Sequence, residues 1–118
     1  MTQEDKQLLL QDLCARLPYG VKVQVYDNRY VPTTLTAIDI EKQECIFNFN
    51  APIENCLPYL RPMSNMSVEE LLERGRLSEH DYYGLMDWLN KHHFDYRGLI
   101  LQGLALEAPE DMYNLKEK

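Results

Sequence analysis

The sequence predicts an α+β fold, on three observations. An apolar pattern of helical period opens the chain and stops at Pro18 and Gly20. The period then drops to two over the Val21–Val25 stretch. Helix-start signals return only after a proline-rich segment, so strands and helices are segregated rather than alternating.

In the first element, Leu9, Leu13 and Leu17 recur every fourth residue with Leu10 and Cys14 beside them. That spacing describes an amphipathic helix from about Gln3 to Leu17. Thr2 and Asp5 fit a capping box in which Asp replaces the usual Glu. Val21, Val23 and Val25 alternate with Lys22, Gln24 and Tyr26, a half-buried strand, and Asp27-Asn28 supplies a turn. A second strand is expected from about Thr34 to Ile40, with Thr36, Ile38 and Ile40 on one face. After a polar loop from Glu41 to Glu44, a third strand carries Cys45, Phe47 and Phe49 on one face. Short links between three strands imply an antiparallel meander, strongly bent and SH3-like, over residues 20–62, with the N-terminal helix covering one side.

Pro52, Pro58 and Pro62 prevent a long helix over residues 51–66. An extended segment with an edge strand near Cys56 to Leu60 is expected there. Ser67 and Glu70 form a second capping box, starting a short helix that Gly75 ends after Arg74. Ser78 with Asp81 would cap a helix from about Glu79 to His92, on which Leu85, Trp88 and Leu89 make an apolar side. Asp95 would cap a last short helix ending near Gly103. The helical half thus covers residues 67–104, and the polar tail over 109–118 is expected to fray. No repeat or linker divides the chain, so residues 1–118 read as a single domain.

Twelve Lys and Arg against nineteen Asp and Glu give a net charge of -7. A surface of that sign is repelled by phosphate, which argues against direct nucleic-acid binding. The charge is spread between the halves, with 8 acids and 5 bases in residues 1–60 and 11 and 7 in residues 61–118, so no dedicated acidic face is marked. No apolar run approaches the ~20 residues of a membrane span. The start, MTQEDKQ, has no secretory leader pattern. Three widely spaced cysteines, Cys14, Cys45 and Cys56, fit reduced thiols in the cytoplasm.

No phosphate-binding glycine loop, nucleophile elbow or zinc motif occurs, so neither a catalytic residue nor a cofactor is assigned. His80, His92, His93 and Asp95 are the residue types of a metal site, yet neighbouring helical positions point about 100° apart, and the histidines read better as helix-end residues. Cys14 and Cys45 read as small buried hydrophobes, and Cys56 lies in an irregular segment. Glu69, Glu70 and Glu73 read as a solvated first turn favoured by the helix dipole. The eight tyrosines are more suggestive. Tyr59, Tyr82, Tyr83 and Tyr96 lie in the second half with Trp88 and Arg97, and these residue types anchor protein interfaces.

Three blocks, LCARLPYGVKV, PYLRPMSNMSVEE and HHFDYRGLILQGLALEAPEDMY, resemble small uncharacterised proteins of phages, prophages and mobile elements of gut anaerobes. The resemblance covers about half the chain and implies an accessory protein with no assigned chemistry. The expected function is therefore non-enzymatic protein interaction, with Tyr59, Arg61, Trp88, His93, Tyr96 and Arg97 as the partner-binding residues. The alternatives are an acidic inhibitor of a host nuclease or defence complex, and a small metalloprotein or enzyme using His80, His92, His93 and Asp95.

Overall fold

The computed structural model describes residues 1–26 and 32–113, and within them every side chain except those of residues 78–80. The Asp27-Asn28 turn and the end of the tail lie outside the described residues. The architecture is α+β.

Helix α1 spans Gln3–Arg16. Its expected capping box forms, with the Thr2 hydroxyl accepting from the Asp5 amide and the Asp5 carboxylate accepting from the Thr2 amide. Pro18 turns the chain through a single 3-10 turn over Leu17–Tyr19, and Gly20 exits at φ 70°, a conformation costly to other residues. Leu9, Leu10 and Leu13 face the core. Cys14 does not: it is exposed, because the buried stripe runs through Leu9, Asp12, Leu13 and Arg16 and leaves Cys14 off that face.

The strand region is two sheets rather than one meander. Strands β1 (Lys22–Val25), β2 (Thr33–Thr34), β6 (Cys56–Leu60) and β7 (Leu106–Glu107) form a four-stranded sheet in the order β2-β1-β6-β7. Strands β3 (Ala37–Asp39), β4 (Glu44–Ile46) and β5 (Asn50–Pro52) form a separate antiparallel three-stranded sheet. The expected Thr34–Ile40 strand is split between them. The Leu35 amide donates to Val21 O and the next amide, of Thr36, donates to Ile46 O, so the chain changes sheets within one residue. Leu35 enters the core at the crossing, and Ile40 is left exposed. The expected third strand also breaks. The Phe47 amide donates to Phe49 O in a tight turn, and the two rings stack at 5.1 Å.

Strand β6 is central, not an edge, despite Pro58. It pairs antiparallel with β1 and, beyond the proline, parallel with β7 at Tyr59 and Leu60, so the missing N–H is not needed on the β7 side. Val21, Val23, Val25, Cys56 and Leu60 are fully enclosed with Leu9 and Leu13.

The helical half differs from expectation in length and caps. Helix α2 runs Val68–His80, straight through Gly75. A single glycine costs a helix about 1 kcal/mol but does not stop it. Asp81, rather than Ser78, caps helix α3 (Tyr82–Lys91), accepting from the Gly84 amide. Asp95 caps no helix. Its carboxylate accepts from the Leu99 and Ile100 amides and organises a run of turns. Trp88, Leu89 and Phe94 make a second core with Met63, Met66, Leu77 and Leu85.

Within the tail, Tyr113 is anchored. Its hydroxyl accepts from the Lys22 amide at 2.8 Å and donates to Tyr59 O at 2.8 Å, bridging β1 and β6. Burial, ahead of its other contacts, holds the phenol pKa above its usual range. Tyr113→Phe is expected to lower unfolding free energy by about 1–3 kcal/mol, because it strips partners from two backbone groups; urea denaturation checks this.

Candidate functional site

The residues richest in chemistry converge where α1 meets the segment after α3. Asp12 and Arg16, one helical turn apart, are both fully enclosed and share two hydrogen bonds, at 2.8 and 3.0 Å. Arg16 Nη2 also donates to Phe94 O at 2.6 Å, and Arg97 Nη1 donates to Asp12 Oδ1 at 2.8 Å. Two guanidiniums therefore share one carboxylate, and both lie over the Tyr96 ring, at 5.4 and 4.8 Å from its centroid. The Tyr96 hydroxyl donates to Asn90 Oδ1 and accepts from Arg97.

Arg61 forms the second node. Its backbone exchanges hydrogen bonds with the His93 carbonyl and the Asp95 amide, which carries the sheet pattern past β6 to Phe94. Its guanidinium makes a two-pronged contact with Glu70 at 3.0 and 2.9 Å and lies 4.1 Å from the Phe94 ring centroid. Glu70 also accepts from the Ser67 amide, completing the second capping box. Burial alone would raise the Glu70 pKa, but the Arg61 and Ser67 hydrogen bonds and the Arg61 charge outweigh it and hold the carboxyl low.

His93 sits at φ 63° just past α3, almost fully enclosed, with its ring stacked 3.8 Å from that of Tyr113. Burial first, then the Arg16 charge, pushes its pKa down to about 3, so the ring is neutral at physiological pH. His92 lies elsewhere, with Nδ1 2.9 Å from Trp88 O and its ring 4.3 Å from the indole. The Asp95 carboxylate is occupied by two amides. The His80 side chain lies outside the described residues. No group of three His, Cys, Asp or Glu able to hold a metal ion occurs among the described residues.

Two thiols, Cys14 and Cys56, have pKa values raised above the usual range. The neighbouring Cys45 thiol, then burial, pushes the Cys56 pKa up, and the Cys56 thiol donates to Pro52 O at 3.4 Å. Burial and then Cys45 also raise Cys14. An activated cysteine requires the opposite shift.

The six residues expected to bind a partner are thus largely committed inside the molecule. Trp88 is 7% exposed and His93 is enclosed, so neither is offered to a partner. Tyr59 donates to Gln24, Arg61 holds Glu70, Tyr96 holds Asn90, and Arg97 holds Asp12. The reason is arithmetic that single residues do not display: each arginine found a carboxylate and an aromatic face within its own chain.

Among the described residues, exposed large apolar side chains gather on α2 and at its junction with α3, while Tyr26, Ile40 and Leu101 are exposed singly elsewhere. Val68, Leu71 and Leu72 are 71%, 48% and 62% exposed, and Tyr82 and Tyr83 follow in the next turn of chain. Their spacing (68, 71, 72) was the available signal, masked by the acids between them. Two concavities flank the body. One, of about 590 Å³, is lined by Arg61, Asn65, Glu107 and Tyr113; the other, of about 660 Å³, lies along α1 between Leu8, Leu10, Cys14 and Ile40.

Comparison of the chain with protein-family models, curated proteins and solved structures returns no match.

Two outcomes follow from the charge network. Asp12→Ala should destabilise the fold by about 3–5 kcal/mol by stranding the Arg16 charge, while Asp12→Ala with Arg16→Met should recover most of that loss in denaturant titrations. His93 takes its proton near pH 6.5 when unfolded but only near 3 when folded. Stability contributed by its neutral form is therefore complete above that unfolded value and declines as pH falls towards 3, by about 1.4 kcal/mol per pH unit. His93→Asn, which tolerates positive φ, should remove this slope; parallel curves for the two proteins between pH 6 and 4 would refute the assignment.

Proposed function

We propose that this chain is a non-enzymatic protein-binding accessory protein, of the phage and mobile-element kind its sequence blocks resemble, and that it docks through the outer face of α2. One observation carries the reading. Helix α2 buries none of its described side chains below the surface, yet its outward stripe is apolar at Val68, Leu71 and Leu72. Isolated exposed leucines are ordinary on a protein surface, whereas three on one helical stripe are a contact surface. Support also comes from the interior. The charges of Asp12, Arg16, Arg61 and Glu70 are held in fixed internal pairs, and the Cys56 thiol lies at raised pKa. A docking face needs a rigid platform, and the capping box at Ser67, tied through Glu70 to Arg61, fixes the start of α2 to the sheet.

No helix among the described residues is long and apolar enough to cross a membrane. An apolar helix face on such a body accepts the apolar face of another polypeptide.

A photo-crosslinking amino acid at Leu72 is expected to give covalent protein adducts in cells expressing the chain. The same group at Gln7, in the α1 groove, is expected to give none. Adducts at Gln7 without adducts at Leu72 would move the docking surface off α2 and refute the reading.

A further inference from the structure

We propose that Tyr113 fills a phenol-binding slot, and that the segment over residues 109–113 is a releasable strap whose departure opens the slot to a phenol ring from another molecule. The inference goes beyond the α2 face and uses none of its residues.

The slot is a gap in the four-stranded sheet. Strands β1 and β6 pair at Val25–Cys56, Gln24–Leu57 and Val23–Pro58. Continuing that register would set Lys22 opposite Tyr59. Hydrogen-bonded and non-hydrogen-bonded pairs alternate along an antiparallel ladder. Pro58, with no N–H, fits a non-hydrogen-bonded pair, so Lys22 and Tyr59 fall on a hydrogen-bonded one. The Tyr113 hydroxyl stands between them. It accepts from the Lys22 amide at 2.8 Å and donates to Tyr59 O at 2.8 Å, with Lys22 O 3.5 Å away. Strand β6 parts from β1 at this level, where it pairs with β7 through Tyr59 and Leu60. The parted rung presents a backbone donor and a backbone acceptor to one atom, and a hydroxyl satisfies both.

The floor of the slot is aromatic. The His93 ring stacks on that of Tyr113 at 3.8 Å, with the planes 21° apart. His93 is 2% exposed and held at φ 63°, in the left-handed region. Backbone strain of this kind gathers where a side chain is held ready for a ligand. Flat ring, donor and acceptor together describe a phenol.

The present occupant is lightly tethered. The Ala108 amide donates to Leu60 O, and beyond it Pro109, Glu110 and Asp111 are exposed. The Met112 amide donates to Pro109 O, a bond internal to the segment. Between the strap and the body lies the concavity of about 590 Å³ lined by Arg61, Asn65, Glu107 and Tyr113, so the segment bridges more than it packs. A surface segment with an exposed backbone opens at lower cost than the sheet beneath it. The slot's own walls are strand backbone, which stays in place when the strap leaves, and slot and concavity then become continuous.

Two measurements on the full chain test this. In the wild-type chain the Lys22 amide should be protected from hydrogen exchange at least about tenfold less than the Leu35 amide, which donates to Val21 O in the same sheet. Equal protection would mean that strap and sheet open together, and overturns release. In Tyr113→Ala, p-cresol should bind once per chain with an affinity on the order of millimolar, shifting the Lys22 amide resonance and raising Tm. Toluene, which lacks the hydroxyl, should bind at least about tenfold more weakly. If Tyr113→Ala is unfolded alone, p-cresol and not toluene should restore its circular dichroism. A variant that answers to neither solute, or to both alike, overturns the slot. A capped peptide of residues 108–113 separates two sources of the ring. Its binding to Tyr113→Ala assigns the slot to a tyrosine side chain of a polypeptide, and binding of p-cresol alone assigns it to a free phenol.

Discussion

The buried Asp12–Arg16 pair sets the arrangement of this molecule. Two full charges removed from water carry a large desolvation cost, which only close and complete pairing offsets. Here the pairing reaches beyond α1. The Phe94 carbonyl and the Arg97 guanidinium extend it, which ties the helix to the segment that follows α3. Such a pair contributes little net stability. Its effect is to make other dockings of α1 expensive, because each would leave a charge buried and alone.

Arg61 performs the matching task for the sheet. Its main chain prolongs the pairing of β6 onto residues 93–95, and its side chain reaches the N-terminus of α2. Three arginines therefore join the two halves, each through an acceptor and an aromatic face. Arginine suits the position, since its flat cation can stack and donate in several directions at once. Arg16, Arg61 and Arg97, with the aromatic rings of Phe94 and Tyr96, are thereby committed to holding the chain to itself.

The contrast between α2 and its surroundings follows from this. Its N-terminus is fixed by Ser67, Glu70 and Arg61, and Leu77 contacts the second core, while Val68, Leu71 and Leu72 on the outward stripe are exposed among the described residues. A helix of 13 residues gains little from propensity alone and depends on tertiary cover. Burial of Val68, Leu71 and Leu72 by a second polypeptide would supply the cover that one face lacks.

Local chemistry determined much of this fold from the sequence alone. The capping boxes at Thr2 and Ser67, the stop at Pro18 and Gly20 and the alternation from Val21 to Val25 depend on neighbours within four residues, and each formed as the sequence implies. The α+β class followed from them. What depended on distant neighbours was decided only by the tertiary structure. The division of Thr34–Ile40 between two sheets, the central place of β6, the parallel strand β7 and the anchoring of Tyr113 all rest on partners far along the chain. The candidate site belongs to the same category. Trp88, Tyr96, Arg61 and Arg97 have interface chemistry in isolation, but exposure is a property of what surrounds a side chain. Only the assembled fold brought Asp12, Phe94 and Glu70 to meet these groups and left Leu72 outside.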